Sequence, residues 1–328
     1  MTTESVIGAL KKARSGVGNA GSGRPASDRK RTRRFTHSRA FLLFVLPSLI
    51  LLVLLNLYPV IYAGLQSLRN GDLLSAGNFV GLHNYTAMVQ TPAFWHAAGF
   101  TVAFTLVGVF GSWAIGLALA LLLRTRIPAN GLFKVLLLLP WVVPVVVSAT
   151  SWNWLVATPQ SPLPMLAQAL GLGNVLFLAD PVLAQVTVCV FKVWISFPFM
   201  MMMMSSALAS VDVNVYEASK VDGASSVQAF WRITLPMIAR STYISWILMT
   251  IFCVNDFPSI FLLTGGGPVN STQTLVVLAY STVFQNFQTG PGVAIAFMMT
   301  IVLVIIATVL YRQIRKVNIE GACKLHMP

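Results

Sequence analysis

Two ionisable side chains lie inside long apolar stretches of this sequence and are the residues best suited to chemistry there. Lys192 lies in the stretch 182–208 and Asp256 in the stretch 237–263. Charged groups are costly in apolar surroundings, so those that occur usually face a cavity or one another. An ammonium group at position 192 can bind a carboxylate or phosphate of a solute. Alternatively, it can form an internal ion pair with Asp256 that neutralises both groups.

No catalytic or cofactor motif accompanies these two residues. The glycines at 16–21 match G-x-G-x-x-G without the flanking strand and helix, and those at 265–267 lack the G-K-[ST] ending of a phosphate loop. The sequence has no H-E-x-x-H motif, and its three cysteines lack metal-ligand spacing. We therefore predict no catalytic residue, no metal and no cofactor in this chain. Any ATP it uses, with its Mg²⁺, must be bound by a partner.

A polar segment at 209–236 separates two of the apolar stretches and carries helix signals. Asp212 can cap a short helix that starts near Val213, and Gly223 allows a turn that other residues resist. Such a segment is either a docking helix for a partner protein or an amphipathic helix lying on the membrane surface. The apolar residues that would enter lipid under the second interpretation are Val221, Val227 and Phe230.

The composition requires a membrane protein. Apolar residues make up 56% of the chain, charged residues 9%, and the mean hydropathy is +0.76. Stretches of about 20 apolar residues are long enough to cross the hydrocarbon core. These predict an all-α, polytopic fold with six transmembrane helices, at 41–65, 99–123, 133–156, 182–208, 237–263 and 293–311.

The basic residues predict the topology of these spans. With a cytoplasmic N-terminus, 20 of the 22 Lys and Arg residues fall on the cytoplasmic side, the exceptions being Arg69 and Lys192. Both termini are then cytoplasmic, and the net charge of +13 indicates membrane topology and anionic lipid rather than nucleic acid. We expect a disordered basic tail at 1–38, a transmembrane domain at 39–316 and a cytoplasmic tail at 317–328.

The polar segment resembles the signature loop of ABC-importer permeases, E-A-A, three residues, G, nine residues, I-x-L-P. The spacing matches throughout, and the one departure is Ser219 at the third position, where alanine is usual. The resemblance covers residues 41–316 and extends to the segments 177–181, 255–257 and 262–268, which are similar to the larger permease subunit of maltose-type carbohydrate importers. The long insertion of that subunit has no counterpart in the short segment 66–98.

This resemblance implies a type I ABC-importer permease fold and a non-catalytic, mechanical role. The loop would act as a coupling helix that docks into an ATP-hydrolysing subunit, so that closure of the ATPase dimer moves the membrane helices. The implied partners are a second related permease, a homo- or heterodimeric ABC ATPase and an extracytoplasmic solute-binding protein, in a bacterial inner membrane. The implied contacts with the ATPase are Glu217, Ala218, Ser219, Asp222 and Gly223.

The resemblance also implies where a carbohydrate would bind. The implied substrate-binding residues are Lys192, Ile195, Ser196, Phe199, Met249, Phe252, Cys253 and Asp256. Aromatic faces beside hydrogen-bonding groups suit a sugar ring. Lys192 stands where the neutral-sugar transporter of this family has an amide, which indicates an acidic oligosaccharide such as an oligouronide if the ammonium meets the solute. The alternatives are glycerol 3-phosphate or a related anion, and a neutral oligosaccharide.

Two other classes of membrane protein compete with this interpretation. A secondary transporter that works alone would ordinarily show repeats with helices broken at matching positions, and none is apparent. An intramembrane enzyme would need more ionisable groups within the spans than Lys192 and Asp256. Neither class accounts for the loop at 209–236.

Overall fold

The computed structural model describes residues 37–75, 77–125 and 128–325. The predicted disordered tail at 1–38 therefore lies almost wholly outside the described residues, and a helix begins at His37. Regular structure in the described ranges is helical, apart from an isolated bridge between Arg69 and Phe79. The predicted all-α class is confirmed.

The helices are, in chain order, α1 (His37–Leu52), α2 (Tyr58–Ser67), α3 (His83–Val89), α4 (Pro92–Arg124), α5 (Asn130–Val142), α6 (Val145–Val156), α7 (Pro162–Ala169), α8 (Pro181–Ala209), α9 (Val213–Val221), α10 (Ser226–Ala229), α11 (Leu235–Val254), α12 (Pro258–Leu263), α13 (Leu275–Phe284) and α14 (Thr289–Leu325). Two π-helical turns, Val53–Leu57 and Phe230–Thr234, follow α1 and α10. Because α14 continues to Leu325, the segment 317–325 is helical.

The chain divides into two compact units, and the boundary along the sequence lies between Leu57 and Tyr58. The described part of the first unit is α1 with its π-helical turn. In that turn the side-chain amide of Asn56 donates to the carbonyl oxygen of Leu52 at 2.9 Å, which satisfies a polar group on an otherwise apolar segment. The second unit holds all the other helices.

Six apolar segments are long enough to cross a membrane, as predicted, when one bent pair counts as a single span. The five unbroken ones are Phe44–Ser67, Pro92–Arg124, Pro181–Ala209, Ser226–Val254 and Thr289–Gln313. The bent pair is α5 with α6, whose axes differ by 91°. The break lies between Pro140, which is inside α5, and Pro144, which directly precedes α6. It falls at Val143, which is extended because the residue before a proline disfavours helical backbone angles.

The fifth predicted span, 237–263, ends earlier than expected. Helix α11 ends at Val254, a turn at 255–257 follows, and Pro258 starts the separate helix α12. Proline is favoured in the first turn of a helix, where its missing N–H is not needed. As a result, Asp256 lies in a break between two helices and not inside a span.

Helices α4 and α8 pack closely because small residues line their contact. A Cβ atom on Gly108 would lie 3.2 Å from the Cγ atom of Lys192, and one on Gly116 would lie 2.6 Å from the backbone nitrogen of Met201. Ser112, between these glycines, is fully buried. Small residues four apart let the backbones of membrane helices approach each other. This contact fixes the face of α8 that carries Lys192.

Candidate solute site and coupling loop

Lys192 and Asp256 form a buried ion pair between α8 and the break after α11. The Nζ atom of Lys192 lies 2.6 Å from the Oδ2 atom of Asp256, and the two side chains are only 7% and 8% exposed. Ser259 donates its hydroxyl to the same carboxylate oxygen at 2.8 Å and its backbone N–H to Oδ1 at 3.1 Å. Each charge is therefore satisfied within the chain. Of the two roles considered for Lys192, this structure contains the internal ion pair with Asp256.

The other predicted substrate-binding residues occupy the facing sides of α8 and α11. Residues three, four or seven apart lie on one face of a helix, as 192, 195, 196 and 199 do on α8. Ile195, Met249 and Cys253 are buried in one hydrophobic cluster. Ser196 is also fully buried, and its hydroxyl has no hydrogen-bond partner among the described residues. The structure thus brings the predicted set together while leaving most of it covered.

Three aromatic side chains form the accessible part of this region. Trp141 stacks on Phe199 with ring centroids 5.1 Å apart, and Phe252 lies 6.0 Å from Trp141 and 5.9 Å from Phe199. Trp141 is 39% exposed and Phe252 45% exposed. We call Trp141, Phe199 and Phe252 the aromatic trio. It presents a surface on which the C–H face of a sugar ring could stack.

Trp141 is the member of the trio that sequence reasoning missed. It lies near the end of α5, just before the 91° break. The available signal was an aromatic residue between two prolines, Pro140 and Pro144. Only the fold shows that this position meets α8 and α11.

The polar segment forms two capped helices, as its residues predict. The Oδ1 atom of Asp212 accepts the backbone N–H of Asn214 at 2.9 Å at the start of α9. Gly223 ends that helix with a φ of +76°, a conformation that L side chains rarely adopt. Ser225 and Gln228 then form a capping box at the start of α10. These local signals fix a compact helical hairpin between α8 and α11.

One face of α9 is seated on the rest of the chain. The guanidinium carbon of Arg124, at the end of α4, lies 4.5 Å from the centroid of the Tyr216 ring. The Tyr216 hydroxyl is 3.3 Å from that of Thr234. Ser219 is buried, and its hydroxyl donates to the carbonyl oxygen of Tyr216 at 2.8 Å. Ser219 therefore belongs to the seated face in the isolated chain.

The opposite face of the hairpin is exposed. Of the predicted coupling residues, Glu217, Ala218, Asp222 and Gly223 all lie there. Val221, which the sequence offered only as a lipid-facing residue, is 87% exposed beside them. The exposed face thus combines carboxylates with an uncovered apolar side chain, a surface suited to docking against another protein.

The described residues offer no metal centre. In those ranges no group of three or more His, Cys, Asp or Glu side chains could hold a metal ion. The ion pair between Lys192 and Asp256 is also the only one that the described part of the chain contains.

Comparison with known proteins gives a family and several relatives. The family described as "Binding-protein-dependent transport system inner membrane component" matches residues 20–318. A trehalose/maltose transport system permease protein of Thermococcus litoralis is 31% identical over 283 residues, which cover 86% of this chain and 95% of the relative. A sulfoquinovosyl glycerol transport system permease protein of Agrobacterium fabrum is 32% identical and covers 83% and 89%.

The fold also resembles a solved transporter chain. A chain in the crystal structure of a bacterial alginate ABC transporter, in complex with an alginate pentasaccharide-bound periplasmic protein, superposes with a TM-score of 0.76 at 19% identity. The superposition covers 87% of this chain and 98% of that one.

Proposed function

The chain belongs to the binding-protein-dependent transport system inner membrane component family, and from that premise we propose that it is the membrane-spanning permease of an ATP-driven carbohydrate importer. Such a subunit is not itself an enzyme. It forms part of a translocation pathway that alternates between outward and inward access. The energy comes from ATP hydrolysis by partner ATPases, which bind the nucleotide with its Mg²⁺. Carbohydrate is the solute class because both relatives above are named for transport of a sugar or a sugar derivative.

The coupling loop is the observation that carries this proposal. A helical hairpin with the importer-permease spacing is seated on α4 through Arg124 and Tyr216, so a force applied to it passes to a membrane helix. Its outer face leaves Glu217 and Val221 uncovered. Coupling needs contacts that differ between two states, and a rigid, exposed docking element can make them with an ATPase that opens and closes.

The partners and orientation follow from the same proposal. We place both termini in the cytoplasm of a bacterial inner membrane, since 20 of the 22 basic residues then lie on that side. The complex would contain a second, related permease, an ABC ATPase dimer and an extracytoplasmic solute-binding protein. The periplasmic protein bound to the alginate transporter supports the last of these.

The aromatic trio is the proposed place of contact with the sugar. Its rings are accessible, whereas the charged pair beside it is covered and already satisfied. Displacing a buried partner from an ion pair leaves a costly unpaired charge. A neutral sugar face stacked on Trp141 and Phe252 therefore fits the geometry best.

An acidic oligosaccharide is the second candidate solute. Lys192 shares one face of α8 with Ser196 and Phe199, and the buried Ser196 hydroxyl lacks a described partner. A carboxylate that reached this face would meet both an ammonium and a free hydroxyl. This route requires the ion pair with Asp256 to open during transport.

Substitution of Trp141 tests the solute site. The importer, reconstituted in liposomes with its ATPase, second permease and binding protein, is assayed for uptake of a neutral oligosaccharide, an oligouronide and glycerol 3-phosphate. We expect Trp141→Leu to lower carbohydrate uptake about two- to tenfold, because stacking on an aromatic ring contributes roughly 0.5–1.5 kcal/mol.

Trp154→Leu is the matched control, since Trp154 is exposed at the far end of α6. Equal uptake by the two variants would refute the aromatic trio as the solute site. Uptake of glycerol 3-phosphate alone would refute carbohydrate as the solute class.

A further inference from the structure

A basic cavity lies where three membrane helices end or begin. Its volume is about 320 Å³, and its polar side chains are Arg124, Lys134 and Ser205. Arg124 is the last residue of α4, Lys134 lies in the first turns of α5, and Ser205 precedes the end of α8. Helix ends at this position mark the level of lipid headgroups and not the hydrocarbon core.

Both cations of this cavity keep their hydrogen-bonding capacity. Arg124 and Lys134 are exposed, and neither makes an ion pair within the described ranges. The carboxylate nearest along the chain to the cavity lining is Asp212, which uses its Oδ1 atom to cap α9. The contact of Arg124 with the Tyr216 ring holds the guanidinium in place without a conventional acceptor. Its N–H donors therefore remain available to oxygen atoms.

The rest of the cavity is apolar. Apart from the two cations and Ser205, its lining consists of Ala120, Leu123, Leu208, Ala209, Val211 and Val213. A basic site joined to an apolar lining matches the two chemical parts of a phospholipid.

We propose that this cavity binds the headgroup of an anionic phospholipid, with the phosphate between Arg124 and Lys134 and the first part of an acyl chain against the apolar lining. Inorganic phosphate shares the headgroup's chemistry. The apolar lining favours the lipid, because a free phosphate gains nothing from it. The site is separate from the aromatic trio and does not depend on the identity of the transported solute.

Lipid retention by the full chain tests this proposal. The protein is purified from a membrane mixture of phosphatidylglycerol and phosphatidylcholine, and the bound lipid is measured by native mass spectrometry. We expect preferential retention of phosphatidylglycerol, reduced about fivefold in Arg124→Gln or Lys134→Gln and about thirtyfold in the double variant. Arg124→Lys, which keeps the charge, should retain most of the lipid.

Arg240→Gln is the matched control, because Arg240 is exposed in α11 and does not line the cavity. Unchanged retention by the double variant, or an equal loss in Arg240→Gln, would overturn the proposal. Inorganic phosphate at millimolar concentration should not displace the lipid. Full displacement would identify a free-anion site and would also overturn it.

Discussion

The buried pair of Lys192 and Asp256 matters for stability chiefly because the loss of one partner leaves the other charge buried and unpaired. A buried ion pair contributes little to stability relative to a well-packed apolar pair, whereas a single buried charge is strongly destabilising. The 2.6 Å contact holds the break after α11 against α8, and the two hydrogen bonds from Ser259 fix the Asp256 carboxylate at the start of α12. The pair thus joins the helices that carry Phe199 and Phe252.

A double-substitution experiment tests this role. We expect Lys192→Met to lower the free energy of unfolding by about 3–5 kcal/mol, because it leaves the Asp256 carboxylate buried without its cation. The combined variant Lys192→Met with Asp256→Leu should recover most of that loss. Unfolding in a denaturing detergent titration gives the three values. A single variant as stable as the wild type would show that the two charges do not pair in the folded protein.

At the scale of elements, the contact between α4 and α8 sets how precisely the solute and coupling regions are held. Gly116 has no room for a side chain, since its neighbours are the backbone atoms of Met201 and Met200, which cannot move aside. Gly99, in the same helix, has nothing within 4 Å of the position that a Cβ atom would take. The two glycines form a matched pair with opposite expectations.

Alanine at these two positions gives the test. Gly116→Ala should destabilise the protein by about 1–3 kcal/mol, because an overpacked contact forces the helices apart. Gly99→Ala should stabilise it by about 0.5–1 kcal/mol, the usual gain for alanine over glycine within a helix. Thermal unfolding of both variants provides the comparison. Similar shifts for both would mean that α4 and α8 are not in close contact at Gly116.

For the whole molecule, the sequence predicted the features that depend on neighbouring residues but not the contacts between residues remote in sequence. The cap at Asp212, the turn at Gly223 and the six apolar segments depend on neighbouring residues or on simple hydropathy, and the structure contains them. The end of the fifth span was misplaced because hydropathy continues past Val254 although Pro258 starts a new helix. Trp141 could not be assigned, since its neighbours Phe199 and Phe252 are remote in sequence.

The exposed face of the hairpin is the part of the molecule on which the proposed coupling depends. Arg124 on α4 holds Tyr216 on α9, while Val221 on the outer side of that hairpin is 87% exposed. As the permease of an ATP-driven importer, the chain must contact the ATPase through this exposed face. A charge placed there should uncouple ATP hydrolysis from transport without disturbing the membrane helices, because the described residues cover only a small part of the Val221 side chain.

The most direct test is the ATPase activity of the assembled importer in lipid nanodiscs, stimulated by the sugar-loaded binding protein. We expect Val221→Asp to abolish the stimulation or weaken ATPase association at least about thirtyfold, the size of a docking hot spot. Val221→Leu is the control, because it keeps an apolar side chain at the same exposed position and should leave stimulation intact. Full stimulation in Val221→Asp would contradict the proposed coupling mechanism.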